Sequence, residues 1–112
     1  MGKTSREKGK RGEREFAALC CAHGYEARRT AQFCGKTGDA ADVVGLPRLH
    51  VEVKRTEALR LYDALDQAKR DAKAGLLPIV AHRKNNHRWV IVMDADDFFE
   101  IYREWEASKD AE

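Results

Sequence analysis

At 112 residues the chain has the length of one domain, and a domain of that size buries roughly two thirds of its unfolded surface, enough for a single core. Charged residues make up 36% of it for a net charge of only +2, no apolar run approaches the ~18–20 residues of a membrane span, and no secretory leader opens it, which argues against an integral membrane protein. Three cysteines without framework spacing, Cys20, Cys21 and Cys34, fit reduced thiols in a cytoplasmic protein better than a disulfide-stapled secreted one.

Residues 1–8 are polar and basic and are expected to be flexible. From about residue 9 to 23, apolar side chains recur at Phe16, Ala17, Leu19 and Cys20, a helical stripe stopped by Gly24. Residues 25–30 fit a strand, and 32–39, with Gly35 and Gly38, fit a loop. Two short strands follow, 40–46 and 49–54, separated by the turn signal Gly45-Leu46-Pro47-Arg48. Leu61, Leu65, Ala68 and Ala72 mark a second helix that ends by Gly75. Strands at 77–81 and 89–93 flank a turn at 83–87, and Phe98, Phe99, Ile101, Tyr102 and Trp105 mark a last helix, with 106–112 frayed and acidic. The order α-β-β-β-α-β-β-α predicts one α/β domain, a mixed central sheet flanked by helices.

The most informative pattern lies in the paired strands. Successive strand residues point to opposite faces, so Leu49, Val51 and Val53 share an apolar face while His50, Glu52 and Lys54 share a polar one. If strands 40–46 and 49–54 pair as a hairpin, Asp42 comes near Glu52, and two carboxylates and an ammonium meet where one hard dication and one phosphate could sit. Hydrolysis of a phosphodiester at neutral pH calls for such a cation, and oxygen ligands with completing waters suit Mg²⁺ or Mn²⁺. Lys54, flanked by carboxylates, is expected to act as an ammonium that stabilises transition-state charge and orients the water. Glu13 precedes Phe16, Ala17 and Cys20 by three, four and seven residues, so it projects from the buried helix face and calls for a partner. Glu15 reads as an exposed helix charge.

Charge is divided along the chain. Residues 94–112 hold eight acidic side chains against Arg103 and Lys109, a local net of −6, which leaves +8 on residues 1–93. A basic body of this kind suits a polyanionic partner. Cys20, Cys21, His23 and Cys34 lack the paired spacing of a zinc site. His82 and His87 flank a polar turn, Trp89 and Trp105 read as core or interface, and Thr30, Lys36 and Thr37 are candidate DNA contacts beside the glycine-containing loop.

Lys8-Gly9, Gly12-Glu13-Arg14-Glu15-Phe16, Arg28-Arg29, Ala41-Asp42-Val43-Val44-Gly45-Leu46 and Val51-Glu52-Val53-Lys54-Arg55 together resemble the motifs of the PD-(D/E)xK nuclease superfamily, closest to the archaeal-type and phage-encoded Holliday junction resolvases. Ala41 stands where the family usually has proline, and Asp39 is an alternative to Asp42 as a ligand. The resemblance implies a restriction-endonuclease-like fold and a Mg²⁺-dependent endonuclease, with Mn²⁺ as a substitute. Asp42, Glu52 and the Val53 carbonyl would hold the metal, Lys54 would serve the attacking water, and Glu13 would complete the acidic cluster. DNA contacts are expected at Lys8, Lys10, Arg11, Arg14, Arg28, Arg29, Lys36, Arg55, Gln67, Arg83 and Lys84. The implied substrate is branched or four-way junction DNA, cut by a homodimer in a bacterial or phage-infected cell. Flap or duplex cleavage, or a non-catalytic DNA-binding module, are the alternatives.

Overall fold

A computed structural model describes residues 2–30 and 41–110; the predicted loop with Cys34, Lys36, Thr37 and Asp39 lies outside them. Helix α1 (Gly2–Ala22) leads into β1 (Arg28–Arg29), β2 (Val43–Val44) and β3 (Leu49–Arg55). Helix α2 (Leu61–Asp71), β4 (Leu77–Arg83), β5 (Val90–Val92) and α3 (Ala95–Asp110) follow. The strands form one five-stranded sheet in the order β1-β2-β3-β4-β5. Every neighbouring pair is antiparallel except β3 and β4, which run parallel because α2 carries the chain back between them. This mixed sheet with flanking helices is what the element order predicts, and it agrees with the restriction-endonuclease-like architecture that the resemblance implies. No described helix is long and apolar enough to cross a membrane.

Strand alternation divides the core between two faces. Phe16, Ala17 and Cys20 of α1 pack on Val43, Val51, Val53, Ile79 and Ala81, while Ala64, Leu65 and Ala68 of α2 pack on Val80 from the other side. Burying a side chain such as Phe16 or Ile79 contributes roughly 1.5–3 kcal/mol, against about 0–1 for an exposed ion pair. Apolar packing of two helices on the sheet therefore dominates stability, and surface pairs such as Arg60–Asp63 (3.1 Å) add little.

Three expectations need correction. Helix α1 starts at Gly2 and not near residue 9; residues 2–8 carry no proline and several good helix formers. Helix α3 continues to Asp110, past the frayed end expected from residue 106, and its apolar side chains all lie exposed, Trp105 at 55%. With α1 and α2 already covering the sheet, these rings pack on one another, Phe98 with Tyr102 and Tyr102 with Trp105, each pair at 5.8 Å. Glu15 is not a free helix charge. It accepts hydrogen bonds from Arg83 (2.5 Å) and from the Trp89 indole N–H (3.0 Å), and the Trp89 ring lies 5.1 Å from Phe16. Glu15 thus ties α1 to the β4–β5 hairpin.

Gly12 sets how closely α1 approaches the sheet. A Cβ at this position would lie 2.5 Å from the Arg55 Cβ, which sits too near its own backbone to swing away. Gly12→Ala is expected to push α1 off β3 and destabilise the fold by about 1–3 kcal/mol, despite the gain of about 1 kcal/mol in helix propensity. Urea unfolding checks this, and a variant as stable as the parent would refute the close approach.

Candidate active site at the divergence of two strands

The site is organised by the point at which β2 leaves β3. The register Val43↔Val51 sets Asp42 opposite Glu52. The Asp42 backbone is fixed on both sides, its N–H donating to Val51 O (2.9 Å) and its carbonyl accepting from the Thr30 N–H (3.0 Å). Asp42 Oδ2 then accepts the Val53 N–H at 2.8 Å, so a side chain stands in for a neighbouring strand's carbonyl. A carboxylate is thereby held in the notch.

Glu52 and Lys54 project from the α2 face of β3. Glu52 is 2% exposed, and its carboxyl is pushed up to about 8, first by burial, then by the charges of Asp42 and Asp71, against the pull of Lys54. The Lys54 ammonium donates to Gln67 Oε1 (3.2 Å), so α2 sets where this cation points. Glu13 reaches the same region from α1 on the opposite face. Arg29 donates to it at 2.7 Å, supplying the partner that its inward position requires. Burial and then Asp42 raise the Glu13 carboxyl, with Arg29 acting in the other direction.

After burial, Asp42 is the strongest influence on both Glu13 and Glu52, whereas Glu13 acts on Glu52 only weakly. Asp42 is therefore the charge that both acids share, the helix acid from one face of the sheet and the strand acid from the other.

This donor set fits a hard dication. Two carboxylates face each other across the notch, one of them deeply buried and destabilised as an anion, a condition that a bound cation would relieve. Among the described residues no group of three His, Cys, Asp or Glu forms a ready-made metal cage. Two carboxylate donors with waters retained are a typical Mg²⁺ set.

The described residues expected to contact DNA fall into two groups. Lys10, Arg11, Arg14, Arg28 and Lys84 are exposed, while half-buried Lys8 sits 3.8 Å from Glu57. Arg29, Arg55, Arg83 and Gln67 have internal partners. Arg29 holds Glu13, Arg55 donates to Asn85 Oδ1 (2.8 Å) and the Arg83 carbonyl (3.3 Å), Arg83 is bound by Glu15 and the His87 carbonyl (2.6 Å), and Gln67 holds Lys54. Thr30 is buried with its hydroxyl on the Ala41 carbonyl (2.7 Å), which corrects the expectation of a DNA contact there. His82 bonds the Thr56 carbonyl (2.9 Å) beside exposed His87 and Arg88.

Two participants had gone without a role. His50 lies two residues before Glu52, so it shares that side chain's face. Asp71 follows Gln67 by four residues, one helical turn. Both spacings were present in the sequence, but only the docking of α2 on β3 gives them meaning.

No protein-family model matches the sequence, and no curated protein matches it. Among solved structures, the chain is similar to Hjc of Archaeoglobus fulgidus, a Holliday junction resolvase from an archaeal hyperthermophile. The TM-score is 0.58 at 27% identity, over 77% of this chain and 72% of that one.

Proposed function

We propose that this chain, which has the restriction-endonuclease-like fold of the PD-(D/E)xK nucleases and is similar to an archaeal Holliday junction resolvase, is a metal-dependent endonuclease that hydrolyses phosphodiester bonds in four-way DNA junctions. One observation carries the reading: Asp42, opposite Glu52 in register, is anchored to the backbone of β3 one residue before Lys54.

Asp42, Glu52 and the Val53 carbonyl would hold Mg²⁺ or Mn²⁺. Such an ion, when bound, polarises the phosphoryl oxygen and acidifies a water. Lys54, oriented by Gln67, offers its ammonium to the attacking water and to the charge that grows on the phosphoryl group. Glu13, held by Arg29, supplies the acid on the α1 side of the notch. Exposed Lys10, Arg11, Arg14 and Lys84, with Arg88, neutralise flanking phosphates, and their contribution is expected to weaken as salt rises.

Resolving a junction takes two cuts, so two copies act on one substrate. The exposed apolar face of α3, with Phe98, Ile101, Tyr102 and Trp105, is the surface on which they would meet.

Labelled four-way junction, matched duplex and flap, each with Mg²⁺ or chelator, test the proposal. Paired incisions confined to the junction and dependent on Mg²⁺ are expected. Equal cutting of all three substrates would reduce the protein to a general nuclease, and tight binding without scission under any divalent ion would leave a DNA-binding module.

A further inference from the structure

We propose that His50 is a positioning residue for Glu52, fixing the orientation of that carboxylate for the dication; this rests on the endonuclease reading above. The geometry is direct. His50 Nε2 lies 3.0 Å from Glu52 Oε2, and both residues are 2% exposed. Two residues along a strand are about 6.6 Å apart, a span that an imidazole laid along the α2 face can bridge.

A glutamate side chain has three rotatable bonds, and holding it in one rotamer costs conformational entropy. Asp42 avoids this problem by accepting the Val53 N–H, which ties its carboxylate to the strand. Glu52 has no such backbone anchor, and His50 provides the equivalent. In the tautomer that carries its proton on Nε2, the imidazole donates to Glu52 Oε2. The two carboxylates of the notch are thus each held through one oxygen, Asp42 by a main-chain amide and Glu52 by a buried ring.

A histidine that merely filled space on the α2 face could be replaced by an apolar side chain of similar size without effect on the site. A positioning histidine could not, because hydrogen-bond partners of metal-binding carboxylates are typically worth 10–100-fold in metal affinity or activity.

Mn²⁺ binding to the metal-free protein, read by electron paramagnetic resonance of the free ion, separates the two roles. His50→Leu fills the space without a donor, His50→Gln places an amide Nε2–H near the position of the imidazole Nε2, and Glu52→Ala removes the ligand. His50→Leu is expected to weaken Mn²⁺ binding about 10–100-fold and to lower kcat even at saturating Mn²⁺, while His50→Gln stays within about threefold of the parent. A folded His50→Leu protein with parental Mn²⁺ affinity overturns the assignment, as does a His50→Gln protein no better than His50→Leu. Should His50→Leu fail to fold, His50→Gln decides alone: retained affinity supports the role and lost affinity overturns it. A parent that binds Mn²⁺ no better than Glu52→Ala overturns the endonuclease reading itself, whereas binding lost in Glu52→Ala but kept in His50→Leu overturns only the part given to His50.

Discussion

Glu52→Gln is expected to give a folded protein that still binds a four-way junction but cuts it at least about 1000-fold more slowly. The amide keeps the volume of the buried side chain and a polar partner for His50, 3.0 Å away, so packing on the α2 face should survive. What disappears is the negative charge facing Asp42 across the notch. Asp42→Asn should act alike, and Lys54→Ala should slow cleavage without loosening the metal. Single-turnover cleavage beside a gel-shift measurement of binding checks the separation. A Glu52→Gln protein that cleaves within tenfold of the parent would remove Glu52 from the reaction.

The second large effect concerns stability, and it runs opposite to the first. The Glu52 carboxyl is raised from its ordinary 4.5 to about 8 in the folded, metal-free protein. Below about pH 4.5 both folded and unfolded states carry the proton, and the group is neutral to stability. Between about 4.5 and 8 the unfolded chain has lost the proton while the native one keeps it, so stability falls as pH rises, and above 8 the loss is complete. Its full size is a few kcal/mol. Glu52→Gln removes that slope and is expected to be more stable than the parent at pH 9 in chelator, with the two similar at pH 4.5. Saturating Mg²⁺ should narrow the gap at high pH by offsetting the carboxylate charge. Denaturant unfolding at both pH values, with and without Mg²⁺, tests this; equal stability of parent and variant at pH 9 in chelator would contradict the buried-carboxylate account.

The two predictions share a cause. A buried carboxylate facing another costs the empty fold stability, and on the proposed reading the same crowding of negative charge would favour a dication. Sites of this kind are where local rules of stability are broken for function.

Much of this was legible from residues alone. The apolar stripe at Phe16, Ala17 and Cys20 located α1, the alternation through Leu49 to Lys54 located β3, and the turn at 45–48 paired it with the strand of Asp42. Side-chain periodicity and turn chemistry are local properties, so a single sequence carries them. Other features were misread because their meaning depends on contacts distant in the chain. Glu15 has the pattern of a solvent-facing charge until the β4–β5 hairpin brings Arg83 and Trp89 to it, 68 and 74 residues away. The apolar side of α3 resembles core until the other two helices are seen to have covered the sheet.

Sequence by itself therefore determined the elements, their order, and the face of β3 from which Glu52 and Lys54 project, because each follows from the repeat of a helix or a strand. Tertiary structure alone decided that Glu13, arriving on one face, and Glu52, on the other, are joined through Asp42 where β2 and β3 part, and that His50 and Gln67 hold the groups between them. The physical reason is that hydrogen bonds and charge interactions depend on distance in space, and no local repeat encodes where two strands separate.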